Sequence, residues 1–182
     1  MQNRREGTFM ITVMKGDITR LDFDVIVNPV NTSVTPIGKV GIAIGKAGGY
    51  RLTDACQRLK TCQTGQAKMT LAYNLPCKAI IHVAGPIYSG SKKDQEYLEA
   101  CYWNAMSIAY EYFKLNHLKH MTLAFPCIST DTYGYPRDQA CAIAIHTIKD
   151  VFAQYPKAKT IDVTFVCNEE QDYLLYKEGI RS

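Results

Sequence analysis

Residues 24–41 read DVIVNPVNTSVTPIGKVG. The run Val25-Ile26-Val27 is short, apolar and β-branched, the form of a strand buried in a sheet. Two asparagines follow, Asn28 and Asn31, flanking Pro29-Val30. Then comes a loop with Pro36, Gly38, Gly41 and one lysine, Lys39. A buried strand that ends in two amides and passes into a Gly/Pro loop has the form of a ligand site. Open α/β sheets place such sites where strands deliver their carboxyl ends into loops.

Short apolar runs of this kind alternate along the chain with longer helical patterns. Residues 9–14, 24–27, 67–72, 79–84, 121–125 and 161–167 read as strands. Residues 42–48, 50–60, 94–115, 137–153 and 169–178 read as helices. In the fourth, Ala140, Ile143, Ala144, Thr147, Ile148 and Val151 recur at steps of three and four and form one apolar face, and Pro136 stands at its first turn. Several strands are apolar on both faces, so helices are expected on both sides of the sheet. That is α/β class, a three-layer α/β/α sandwich. With 182 residues and 47% hydrophobic content, one packed domain over 1–182 is expected, after a short tail at about 1–8.

A net charge of +4 is too weak to imply nucleic-acid binding by itself. No run approaches the 18 or so apolar residues of a membrane span. The seven cysteines are an odd number without CxxC pairs, and most lie in apolar runs. Free buried thiols and a cytoplasmic location are the expectation. His82 lies inside a strand and reads as a structural histidine. His117 and His120 share a loop with no cysteine or carboxylate ligand beside them, so no metal is expected, and no cofactor.

A second strand end is as rich as the first. Residues 125–136, FPCISTDTYGYP, run from a strand through a hydroxyl-rich loop to a helix start. Successive N–H groups in such a loop can cradle a phosphate, assisted by the helix dipole.

Taken together, Gly16-Asp17-Ile18-Thr19, the stretch Val25 to Asn31, Ala84-Gly85-Pro86 and the stretch Ala124 to Pro136 resemble a macrodomain, the ADP-ribose-binding module, MacroD-like in outline. The resemblance runs from about Ile11 to Tyr176. It implies a mixed central sheet of about six strands and a cleft between two phosphate loops. It implies Asp17 as acceptor for the adenine amino group, with Ile18 beside it; a carboxylate accepts only, and an exocyclic amine donates. Without the resemblance, Gly-Asp-Ile-Thr reads as a turn. Asn31 resembles the asparagine that holds the distal ribose, while Asn28 reads as a residue that satisfies loop backbone. Gly38, Lys39, Val40, Gly41 and Ile42 correspond to the first phosphate loop. Ser129, Thr130, Asp131, Thr132 and Tyr133 correspond to the second. Two readings of Tyr133 and Tyr135 are open: both wall the distal site, or one is a core residue that packs the helix start. Asn168 stands where the family often places an aromatic residue against the base.

The departures bear on activity. Hydrolytic members carry a glycine run and then Val-Asp in the first loop. Here the aspartate position is Gly41, which has no group to activate water. The family usually has glycine where Asp131 stands. A carboxylate about 5 Å from a phosphate charge costs roughly 3 kcal/mol at an effective dielectric near 20, about a hundredfold in affinity. Three arrangements of Asp131 are open: an ion pair with Lys39 that closes the cleft, a solvent-facing or turn-capping carboxylate, or a relocated general base. The implied function is binding of ADP-ribose or a related adenine nucleotide, free or on protein. The alternatives are an ADP-ribosyl hydrolase or O-acetyl-ADP-ribose deacetylase using Asn31 and Asp131, and a degenerate domain serving as scaffold or nucleic-acid binder.

Overall fold

The computed structural model describes residues 10–182. The expected tail at 1–8, and Phe9 at the head of the first expected strand, lie outside the described residues. Six strands, β1 (Ile11–Lys15), β2 (Val25–Val30), β3 (Ala67–Leu71), β4 (Ala79–Ala84), β5 (Met121–Phe125) and β6 (Ile161–Cys167), form one sheet in the order β1-β6-β5-β2-β4-β3. All neighbours are parallel except β3, which pairs antiparallel with β4. The helices are α1 (Gly38–Arg58), α2 (Lys92–Leu115), α3 (Arg137–Gln154) and α4 (Glu170–Arg181), with a 3-10 turn at Pro156–Thr160. The mixed three-layer sandwich expected from the sequence is therefore the observed fold. No helix among the described residues is long and apolar enough to cross a membrane.

The two faces of the sheet are covered unequally, and the strand period of two sorts the side chains between them. Val25 and Val27 join Leu98, Ala105, Ile148 and Tyr176 in a core under α2, α3 and α4. Ile26 and Val30 join Ile44, Leu52 and Cys56 in a second core under α1. Every residue of β2 and β4 is buried, as parallel strands covered on both sides require. Two of the differences from the sequence reading bear on the site. The expected helices 42–48 and 50–60 are one kinked helix, α1, broken at Gly49, whose φ of 73° is open chiefly to glycine. And β2 does not stop at Val27 but runs on through Asn28-Pro29-Val30, so Asn28 lies inside the sheet rather than in the loop.

Candidate functional site

β2 and β5 are neighbours, yet their ladder holds only two pairs, Val25 with Leu123 and Ile26 with Ala124. Pro29, which has no N–H to give a ladder, stands beyond it. From β2 the chain passes through α1 toward the β3 edge, and from β5 through α3 toward β6, on the other side. The strands therefore part at a topological switch point, and the loops that follow them face each other across a cleft.

The structure gives the two asparagines different surroundings. Asn31, at the end of β2, folds its own loop: its Oδ1 accepts the N–H groups of Ser33 at 3.0 Å and Thr35 at 2.9 Å. Asn28, expected to satisfy loop backbone, is fully buried under α1, beside His82 across the β2–β4 ladder. Thr70 donates its hydroxyl to the Leu71 carbonyl, so it accepts from His82 Nε2–H at 2.8 Å. That leaves His82 Nδ1 as acceptor for the Asn28 Nδ2 amide at 3.1 Å. The Asn28 Oδ1 has no hydrogen-bond partner among the described residues. The reason is geometric: Ile26, Asn28 and Val30 share one face of β2, and that face is roofed by α1. His82 is structural, as the sequence suggests, and burial holds its pKa down to about 4, so it is neutral at pH 7.

Gly41 lies buried in the first turns of α1. A Cβ built there would sit 2.6 Å from the Pro29 carbonyl oxygen and 3.5 Å from Asn28 Oδ1. The missing aspartate has thus lost its space as well as its side chain. The helix start also lacks its own acceptors. Ile37 occupies the N-cap without a side-chain hydrogen bond, and the first turn holds no acid. The acceptor comes from the other loop: Asp131 Oδ2 receives the Lys39 backbone N–H at 2.8 Å, across 92 residues of sequence. The ammonium of Lys39 points elsewhere, to Glu169 Oε1 at 3.2 Å. Both of those side chains are more than half exposed, which limits such a pair to below about 1 kcal/mol. Asp131 therefore does meet Lys39, but as the cap of α1 and not as an ion pair.

The second loop is tied at its base, and its tip, Asp131 and Thr132, is exposed. Ser129 adopts φ 65°, a left-handed conformation uncommon for serine. Its carbonyl accepts Tyr135 N–H at 2.9 Å, and the Tyr133 carbonyl accepts Tyr88 N–H at 2.9 Å. A Cβ on Gly85 would fall 2.3 Å from Ser129 Oγ, so only glycine lets the β4 end approach this closely. Tyr135 is buried against Tyr88 at 4.9 Å between ring centroids, and Tyr133 is half-buried beside the cleft. Of the two readings open in the sequence, the structure has Tyr135 in the core and Tyr133 at a hollow.

Between the loops lie two small hollows, of about 50 and 40 Å³, both bordered by Lys39, Val40, Cys127 and Asp131. One adds Thr130 and Asn168 and the other Gly38, Ser129, Thr132 and Tyr133. Asp17, Ile18, Asn31, Gly41 and Ile42 border neither. Asp17 Oδ1 is taken by the Thr19 hydroxyl and N–H, and these bonds, with Arg20 near its Oδ2, hold its carboxyl below the usual range. Sequence reasoning missed Arg137, Asp172 and Glu169, which also border the first hollow. Arg137 pairs with Asp172, a contact that raises the guanidinium pKa further. Their only signal was position, charged residues at the starts of the two helices that follow β5 and β6. Cys127 contacts the Cys167 thiol at 3.7 Å, and this neighbour together with burial pushes its own pKa well up, so it is no ready nucleophile.

Comparison with known proteins agrees with this geometry. Residues 27–144 match the family model described as Macro domain. The chain is 41% identical over 174 residues to the O-acetyl-ADP-ribose deacetylase of Salmonella typhimurium, an alignment covering 93% of each. Among solved structures it is similar to the Oceanobacillus iheyensis macrodomain with ADP (35% identity, TM-score 0.81, 93% of this chain and 88% of that one). It is also similar to the Trypanosoma brucei macrodomain in complex with ADP-ribose (31%, TM-score 0.81, 92% and 68%).

Proposed function

The chain belongs to the macrodomain family, and we propose from that premise that it binds ADP-ribose, free or attached to protein, in the cleft between the β2–α1 and β5–α3 loops. One observation carries the reading. The loops meet over the start of α1, whose Lys39 N–H already holds an anionic oxygen from Asp131. A helix start with a backbone N–H turned to an anion is a phosphate seat in form. In this reading the diphosphate lies between Gly38–Ile42 and Ser129–Tyr133. Asn31 has committed its oxygen to Ser33 and Thr35 and offers Nδ2 to a ribose hydroxyl. Asp17 accepts the adenine amino group through Oδ2, and Asn168 lies toward the base. Hollows of this size are far below the roughly 300 Å³ of a typical ligand pocket. Binding therefore requires Asp131 to part from Lys39.

Calorimetric titration with ADP-ribose, with AMP as control, tests the reading. Saturable binding, tighter for ADP-ribose, is expected; no heat and no competition at millimolar ligand would overturn it and direct attention to RNA or a protein partner. Asp17→Ala is expected to weaken ADP-ribose about tenfold, the loss of one hydrogen bond to a charged group. It should leave ribose 5-phosphate unchanged. Equal losses for both ligands would remove Asp17 from the adenine end.

A second reading is hydrolysis of O-acetyl-ADP-ribose or of an ADP-ribosyl bond. The name of the Salmonella relative favours testing it, and Asp131 is the carboxylate that borders both hollows. Turnover by the native protein that disappears in Asp131→Ala would support it. Absence of turnover alongside binding would leave recognition as the function.

A further inference from the structure

We propose that Asp131 is a specificity-determining residue that acts as a built-in anion: its carboxylate occupies the seat a ligand phosphate takes, so the cleft sorts ligands by the charge they bring there. The identity of the ligand rests on the ADP-ribose reading above; the chemistry of the seat does not.

Four features of the cleft carry this. The start of α1 has no cap of its own, so Lys39 N–H needs an acceptor from outside the helix, and Asp131 Oδ2 supplies it at 2.8 Å. The fit is close, since even a Cβ on Gly38 would come within 3.0 Å of the same oxygen. Asp131 and Lys39 border both hollows, so their contact is the partition between them. The loop backbone is tied at Ser129, Asp131 and Tyr133, whereas the Asp131 side chain is exposed, so rotation of that side chain is enough to part the carboxylate from Lys39 N–H.

Two anions do not share one N–H. A diphosphate entering the cleft has to displace the carboxylate and then remain near it. The Lys39 ammonium lies against Glu169, so it offsets this repulsion only by leaving that exposed pair. A ligand with no charge at that position meets neither cost. The residue thus penalises phosphate-bearing ligands selectively, and the penalty is removable.

The test uses the native protein, Asp131→Asn and Asp131→Gly, with thermal melts to establish that each is folded. Asparagine keeps an acceptor oxygen for Lys39 N–H and removes the charge; glycine removes both. Inorganic pyrophosphate is titrated while the Lys39 amide is followed by ¹⁵N NMR, and ADP-ribose and adenosine are titrated by calorimetry. Pyrophosphate and ADP-ribose are expected to bind at least tenfold tighter to Asp131→Gly than to the native protein. Asp131→Asn should lie between the two, and adenosine should stay within twofold throughout. Unchanged pyrophosphate affinity in both variants overturns the proposal, as does an equal gain for adenosine. The outcomes also separate the two readings. A pyrophosphate gain without ADP-ribose binding by any form upholds the built-in anion and rejects ADP-ribose as ligand. Equal ADP-ribose affinity in all three forms, with pyrophosphate unchanged, does the reverse.

Discussion

Gly41→Asp is expected to destabilise the protein by roughly 3 kcal/mol or more and to confer no O-acetyl-ADP-ribose hydrolysis. The substitution restores the acid that hydrolytic macrodomains carry in this loop, so a simple view of the site predicts a gain. The geometry opposes it. The new Cβ would lie 2.6 Å from the Pro29 carbonyl oxygen. That oxygen belongs to a buried strand and accepts Ile37 N–H at 3.3 Å, so it cannot retreat without disturbing the loop. Overpacking of this kind costs about 1–3 kcal/mol. The polar atoms nearest that Cβ are the Pro29 and Asn28 oxygens, both acceptors, so partial burial of a carboxylate beside them adds a further penalty of about 1–3 kcal/mol. For a chain of this length, 3 kcal/mol corresponds to a fall in Tm of roughly 6–12 °C. Gly41→Ala isolates the steric part and should lose less than Gly41→Asp. A Gly41→Asp protein as stable as the native form, with turnover, would show that loop and strand separate more readily than this packing allows.

The second large effect is on acid stability, and it centres on His82. The ring is fully buried, with Nε2–H given to Thr70 and Nδ1 accepting from Asn28. Burial lowers its pKa from the ordinary 6.5 to about 4. Between these values the unfolded chain binds a proton that the folded chain refuses, so stability rises with pH across that interval. The contribution is complete above about pH 6.5, is lost as pH falls toward 4, and amounts to about 3 kcal/mol in all. The hydrogen-bonded carboxylates Asp24 and Asp94 have lowered pKa values and act below this window. Cys56, beside the ring, is pushed up to about 11 and stays a thiol. Urea midpoints measured from pH 7 to pH 4 should therefore fall steeply for the native protein. His82→Gln, less stable at pH 7, should fall much less over the same range. Parallel curves for the two proteins would remove His82 as the cause.

Both effects centre on the buried face of β2, a strand longer than its apolar run Val25-Ile26-Val27. Asn28 and Asn31 are three residues apart with the same side chain, and composition cannot say which one turns inward. The sheet decides it. Asn28 falls in register opposite His82 under α1, whereas Asn31 comes after the strand has ended. The strand ends three residues later than the apolar run suggests, which draws Asn28 into the sheet and leaves Asn31 at the loop, since amides and a proline do not advertise a buried strand.

What the sequence by itself determined is what depends on neighbours within a few turns of the chain. Short β-branched runs, one clear 3- and 4-residue periodicity and apolar strands on both faces were enough for the α/β/α sandwich. Gly49 kinks α1 where the two expected helices meet. The Gly/Pro and hydroxyl-rich loops after β2 and β5 marked the cleft. What only the tertiary structure decided are the pairings between distant elements. Asp131 caps α1 across 92 residues, and Lys39 reaches Glu169 across 130. Arg137 meets Asp172 because α3 and α4 start beside adjoining strand ends. Periodicity reports which face of an element is buried; it carries no information about which other element lies against that face. That is set by the order of strands in the sheet, and here, of the three arrangements open to Asp131 in the sequence, it selected a cap, placed on the start of α1.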